Sequence, residues 1–177
     1  MPNSLSHRRD NHENYVIKHT ATNPVLDLAL RYHAMGFNVV PVKPHVTSTG
    51  SIKKRPAEGI RQREFSQILS RPQSENDVRD VFRRCPEATL VGLVLKHRHP
   101  HRLIVLDFDS QASFDSLKSD LLPILNKTWV VKTRRGMHIY VRLGDSVKLP
   151  TRWKSIPCLD IKRSGYVVAP ESSDPAL

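Results

Sequence analysis

The sequence predicts an α+β fold. Helix-start and helix-stop signals dominate the first half, whereas the second half alternates short apolar runs with turn residues. Two pairs of those runs flank four-residue turns containing glycine, RRGM and KRSG, which favours an antiparallel or mixed sheet over a doubly wound parallel one. At 177 residues the chain suits one domain with a core of its own.

Taken in order, residues 1–22 are polar without an apolar period and predict a mobile arm. NPVLDLALRYHAMG predicts the first helix: Asn23 is an N-cap, Pro24 fits the first helical position, Val25, Leu28, Ala29 and Tyr32 share a face, and Gly36 ends it. FNVVPV follows as a strand whose Pro41 demands an edge or an end of the pairing. Residues 43–60, rich in Gly, Pro, Ser and Thr, read as a basic loop. A helix is predicted from Ser74, with Asp77 as its capping-box partner, to Arg84. TLVGLVL and LIVLDFD are strands joined by KHRHPHR, and a short helix runs over 113–121. TWVVKT and HIYVRL form a hairpin around RRGM, with Gly136 available for a positive backbone angle. CLDI and YVVAP form a second hairpin around KRSG.

Composition narrows the function. The net charge is +11, the electrostatic footprint of a nucleic-acid partner. No stretch approaches the ~20 apolar residues of a membrane span, and the N-terminus lacks a secretory core, so no membrane association and a cytoplasmic location are expected, in a prokaryotic or viral setting. Cys85 and Cys158 are too few for a disulfide framework or a cysteine zinc site and read as small buried residues; no zinc is expected.

The chemistry concentrates in acids at strand ends. In IVLDFDS, Phe108 would point to one face and Asp107 and Asp109 to the other, which suits magnesium or manganese; the bland alternative is a solvated acid beside a helix cap. Asp160, in CLDI, ends another apolar run, and acids so placed are what a two-ion phosphoryl-transfer site requires. His138 follows Lys132, Arg134 and Arg135 around a glycine turn, a cluster suited to a polyphosphate, although a histidine opening a strand is often structural. His97, His99 and His101 alternate, but Pro100 interrupts them, and a basic hairpin tip is the better reading than a metal site. Trp129 reads as core. Trp153, set among basic residues, is a candidate base-stacking side chain, and Lys53, Lys54 and Arg55 are candidate nucleic-acid contacts.

The ordered set LALRYHAMGFNVVPV, KKRPAEG, VGLVL, LIVLDFDS, TWVVKTRRGMHIYV and LDIKRSGYVVAPES resembles the N-terminal catalytic domain of bifunctional DNA primase/polymerases, in the archaeo-eukaryotic primase superfamily. The resemblance spans roughly residues 25–172 and divides the chain into an arm (1–22), a catalytic domain (23–172) and a tail (173–177). It implies an RRM-like catalytic sheet with a smaller α/β subdomain, and template-directed nucleotidyl transfer in replication of a plasmid, phage or mobile element. It implies a site in which Asp107, Asp109 and Asp160 hold two Mg²⁺ or Mn²⁺ ions and His138 binds the triphosphate, with Arg134, Arg135, Lys132, Lys162 and Arg163 as basic neighbours. The implied partners are nucleoside triphosphates, a single-stranded template or primer-template, and a helicase or helical module on another chain or in a continuation of this one. Two departures stand out: KHRHPH replaces a loop that usually carries glycine, and the segment between Tyr140 and Asp160 is short. Two rival readings stay open: a metal-dependent nuclease, in which Lys162 of the Asp-x-Lys pair activates water, and a non-catalytic nucleic-acid-binding replication module.

Overall fold

The computed structural model describes residues 23–95, 101–133, 135–144 and 147–171. The expected arm, the tail from 173, His97, His99 and Arg134 lie outside the described residues. The elements run α1 (Pro24–Ala34), β1 (Val39–Val46), β2 (Ile52–Pro56), α2 (Gln62–Ile68), α3 (Glu75–Arg83), β3 (Leu90–Val94), β4 (His101–Phe108), α4 (Gln111–Leu125), β5 (Trp129–Lys132) and β6 (Met137–Gly144). A single 3₁₀ turn (Thr151–Ser155), β7 (Leu159–Lys162) and β8 (Tyr166–Val168) complete the order.

The strands form two four-stranded sheets, β2-β1-β3-β8 and β5-β6-β4-β7, and every pairing is antiparallel. The fold is α+β, as predicted. In the second sheet β4, α4, β5, β6 and β7 follow the split βαβ order of an RRM-like unit, with the 3₁₀ turn standing where a second helix would. The first sheet, with α1, α2 and α3, makes a second α/β part. A shared core joins the two: Leu103, Val105 and Tyr140 of the second sheet pack with Val39, Leu93 and Val167 of the first and with Tyr32 of α1. The opposite face of the second sheet buries Ile104, Leu106 and Phe108 against Phe114, Leu117 and Leu121 of α4.

Local chemistry explains the helices. Asn23 accepts from the amides of Val25 and Leu26, and Ser74 with Asp77 closes a full capping box. Gly36 stops α1 at φ +86°, a conformation that costs other residues. Pro41 sits between two partners, yet its missing amide is harmless. Its carbonyl accepts from Ala57, just past the last residue of β2, so the absent N–H falls where that ladder has ended.

Four expectations are corrected. Residues 43–60 are mostly a hairpin, β1–β2; only Thr47–Ser51 is the turn, closed by Thr47 N–H on the Ser51 carbonyl at 2.8 Å, and the cations of both strands hid the pairing. The helix at 113–121 extends over Gln111–Leu125, because Ser110 caps it earlier and Pro123 is tolerated near its end. The KRSG segment does not close a hairpin: β7 pairs with β4 and β8 with β3, so the chain crosses between sheets there. Likewise β3 and β4 belong to different sheets and do not pair with each other, while His97 and His99 between them lie outside the described residues. The seven-residue α2 was not foreseen; Arg61 offers it no side-chain cap.

Candidate active site

Asp107 is next to last on β4, the inner strand flanked by β6 and β7. Its neighbour Phe108 is fully buried and meets Phe114 edge-on at 5.7 Å. Burying such a ring stabilises by roughly 1.5–3 kcal/mol, and a one-residue slip would instead turn Asp107 into that core. Phe108 therefore holds Asp107 on the face away from α4.

Register does the rest. Asp107 is directly opposite His138 on β6 and directly opposite Asp160 on β7, so the three side chains form one row on one face. Lys162, two residues beyond Asp160, shares that face. His138 Nε2 lies 3.0 Å from Asp107 Oδ1, and Lys162 Nζ lies 2.5 Å from Asp107 Oδ2. Burial works to raise the Asp107 pKa, but the bonds from His138 and Lys162 outweigh it and hold the carboxyl down at about 2. At neutral pH Asp107 is a carboxylate with a cation already beside it, which answers the repulsion that two neighbouring acids would otherwise suffer.

Asp109 lies one residue past β4, exposed, and its amide donates to the Cys158 carbonyl at 2.9 Å, carrying the β4–β7 ladder one step further. It does not cap α4; Ser110 does, accepting from the Ser113 amide. The bland reading of Asp109 as a helix cap is thereby removed. Cys158 is exposed rather than buried, in a left-handed turn at φ 58° leading into β7.

Gly136 acts differently from expectation. Its φ is not positive; instead a Cβ there would stand 1.8 Å from the Phe108 carbonyl oxygen and 3.0 Å from the Ser110 amide nitrogen. Glycine lets the β5–β6 turn rest on the backbone between the two aspartates. Tyr140 was not singled out, though its position two residues from His138 on the same strand face was a readable signal. Its hydroxyl donates to the Val168 carbonyl at 2.7 Å, its ring lies 6.2 Å from that of His138, and burial pushes its pKa up. It ties the site's floor to β8 of the other sheet.

Other candidates are placed elsewhere. Lys132 is opposite Met137, on the α4 side of the sheet, and does not share the face of His138. Arg135 is exposed in the turn, Arg163 is exposed after β7, and Lys53, Lys54 and Arg55 lie on the far hairpin strand β2. Trp129 is core, as read, packing against Tyr32, Phe37 and Tyr140. Trp153 is corrected: it is buried beside α4 with its indole N–H 3.3 Å from Asp120 Oδ2, so its ring offers no stacking surface. A cavity of about 620 Å³ lies toward the other end of β4 and β6, lined by Leu103, Trp129 and Arg142 among others; none of the row's residues line it.

Among the described residues, no three His, Cys, Asp or Glu side chains converge closely enough to cage a metal ion. The donor set nonetheless suits a hard divalent cation: Asp107 and Asp160 oppose each other in one register row, with Asp109 beyond, all presenting carboxylate oxygens. Lys162 and His138 now occupy the Asp107 oxygens that such an ion would use.

An RRM-like split βαβ sheet, carrying acids and cations in one row across three adjacent strands and joined to a second α/β part, defines a protein of the archaeo-eukaryotic primase type. The chain belongs to the family of bifunctional DNA primase/polymerase N-terminal domains, whose pattern it matches over residues 29–176, and so falls among primase/polymerase-type nucleotidyltransferases. No curated protein matches the chain. No helix among the described residues is long and apolar enough to cross a membrane.

Proposed function

We propose that this chain extends nucleic-acid strands on a DNA template, with the row His138, Asp107, Asp160 and its neighbours Asp109 and Lys162 as the reacting centre. The observation that carries the reading is the register: Asp107 has a histidine opposite on one side and an aspartate opposite on the other, all on one sheet face.

In this reading Asp107, Asp109 and Asp160 hold divalent magnesium or manganese. Bound there, the metal would supply charge neutralisation at the α-phosphate and a lowered pKa for the primer 3′-hydroxyl. The protein's own groups do the positioning. Lys162 leaves the Asp107 carboxylate for the phosphates of the incoming nucleotide, and His138 donates from its ring N–H to the same triphosphate. Arg135, exposed in the adjoining turn, adds charge where pyrophosphate departs. Phe108 and Gly136 keep the carboxylates and the turn in fixed relation, so the contribution is orientation and electrostatics, not covalent chemistry. Template sequence is read by base pairing, not by this site.

A second reading has one observation in its favour. Asp107, Asp160 and Lys162 lie together on one face, which is also the constellation of a metal-dependent nuclease with Lys162 activating water. Incubating the chain with an end-labelled primed template, nucleotides and manganese or magnesium separates the readings. Longer products that require nucleotides support polymerisation. Shortening without nucleotides supports the nuclease and overturns the first reading, and a gel shift with neither supports a binding module alone.

A further inference from the structure

The β1–β2 hairpin stands on the first sheet, away from the acid row, with β2 as an edge strand. We propose that it is a nucleic-acid-binding ribbon, whose cationic face follows the phosphates of a DNA strand.

The pairing register builds the face. Lys43 is opposite Arg55 and His45 is opposite Lys53, so these four share one side of the ribbon in two rows ~7 Å apart. Lys43 and Arg55 are like charges directly opposite, a pairing that destabilises a hairpin unless a polyanion sits on it. Lys43 has Glu58 as counter-ion at 2.7 Å, whereas Lys53 and Arg55 have no ion pair among the described residues. At the tip Val46 and Ile52 are cross-strand partners, 65% and 49% exposed. They sit with Pro44 and Lys54 on the ribbon's other face.

The ribbon is also fastened to β8, the strand that follows β7 in the chain but lies in the ribbon's own sheet. Tyr166, four residues after Lys162, donates its hydroxyl to the Lys54 carbonyl at 2.9 Å. Its ring packs edge-on to Phe65 at 6.0 Å and crosses β3 at Gly92, where a Cβ would come within 2.8 Å of it. The ribbon is thereby braced against β8 and α2. The inference rests on the polymerase reading only for the identity of the strand as DNA.

The test is fluorescence anisotropy of a labelled oligothymidylate, without nucleotide or metal, over about 50 to 200 mM salt. Because no catalysis is read, the ribbon can fail while the polymerase reading stands, and the reverse. Removing two phosphate contacts in the double variant Lys53→Ala/Arg55→Ala lowers the slope of log affinity against log salt by about 1.4, at about 0.7 per contact. The gap between wild type and variant then narrows about sevenfold over that salt range. The charge-keeping Lys53→Arg/Arg55→Lys variant retains the wild-type slope. An unchanged slope in the alanine variant, with circular dichroism showing it folded, overturns the ribbon. So does self-association of that variant with normal DNA binding, which would make the cations an edge guard only. Loss of binding to anionic phospholipid vesicles in place of DNA would also overturn it.

Discussion

Replacing Gly136 by alanine should disable the site while leaving most of the fold. An ideal Cβ at residue 136 meets the Phe108 carbonyl oxygen at 1.8 Å, the Phe108 carbonyl carbon at 2.7 Å and the Ser110 amide nitrogen at 3.0 Å. All three are backbone atoms, so no side chain can swing away. Moving the first contact from 1.8 Å out to 3.0 Å takes a displacement of about 1.2 Å, by the turn or by the end of β4. Phe108 is fully buried and resists, and the carboxylates on either side of it, Asp107 and Asp109, are what would shift. A misplacement of about 1 Å at a reacting centre costs on the order of 10²-fold in rate, whereas forced overpacking costs about 1–3 kcal/mol of stability. The assay is primer extension under single-turnover conditions, beside a urea melt of the same preparation. Gly136→Ala with wild-type extension and wild-type stability would refute the argument that the turn is seated on the backbone between the acids.

Trp153→Ala should cost about 3–5 kcal/mol in a urea melt and leave DNA affinity unchanged, since the ring is core; the reverse pattern would restore it as a stacking residue. His138→Ala should weaken nucleotide binding by calorimetry and raise the nucleotide KM more than it lowers kcat; unchanged nucleotide affinity would make it a structural partner of Asp107 alone. Burial, aided by Glu171 and opposed by Arg31, pushes the Tyr32 phenol up to about 12, and its hydroxyl donates to the Pro170 carbonyl. A raised pKa gives stability that is complete below the ordinary value near 10 and is lost as pH rises toward 12, here about 3 kcal/mol. Tyr32→Phe should therefore be less stable at neutral pH by about 1 kcal/mol, and lose less between about pH 10 and 12; an identical alkaline profile would contradict the assignment.

What the sequence revealed was local, and what it hid was pairing. Alternation in LIVLDFD was enough to read Asp107 and Phe108 onto opposite faces, because a strand's period is two and the buried side is unmistakable. Caps at Asn23 and Ser74 were legible for the same reason: the donor, acceptor and spacing lie within a few residues. That His138 and Asp160 flank Asp107 depends on β6 and β7 both choosing β4, which no window of sequence contains. The same nonlocal choice sends β8 to β3, although CLDI-KRSG-YVV has the look of a hairpin. Trp153 misled because its neighbours Arg152 and Lys154 are charged, while the indole turns inward to Asp120. Cys158 misled because an apolar residue before a strand normally follows it into the core, whereas a left-handed turn holds this one outside. In residues 43–60 the cations obscured the strand pattern, and only the turn residues were read correctly.

In the proposed function, strand extension happens at the carboxylate opposite His138 and Asp160. The most direct test compares wild type with Asp107→Asn, a near-isosteric change that removes the charge held by Lys162 and His138, on a labelled primed template with nucleotides and manganese. Oligonucleotide binding is measured in parallel. Extension is expected to fall by at least about 10²-fold while binding persists, because an acid contributes nothing to phosphate affinity. Extension at the wild-type rate by Asp107→Asn would contradict that placement.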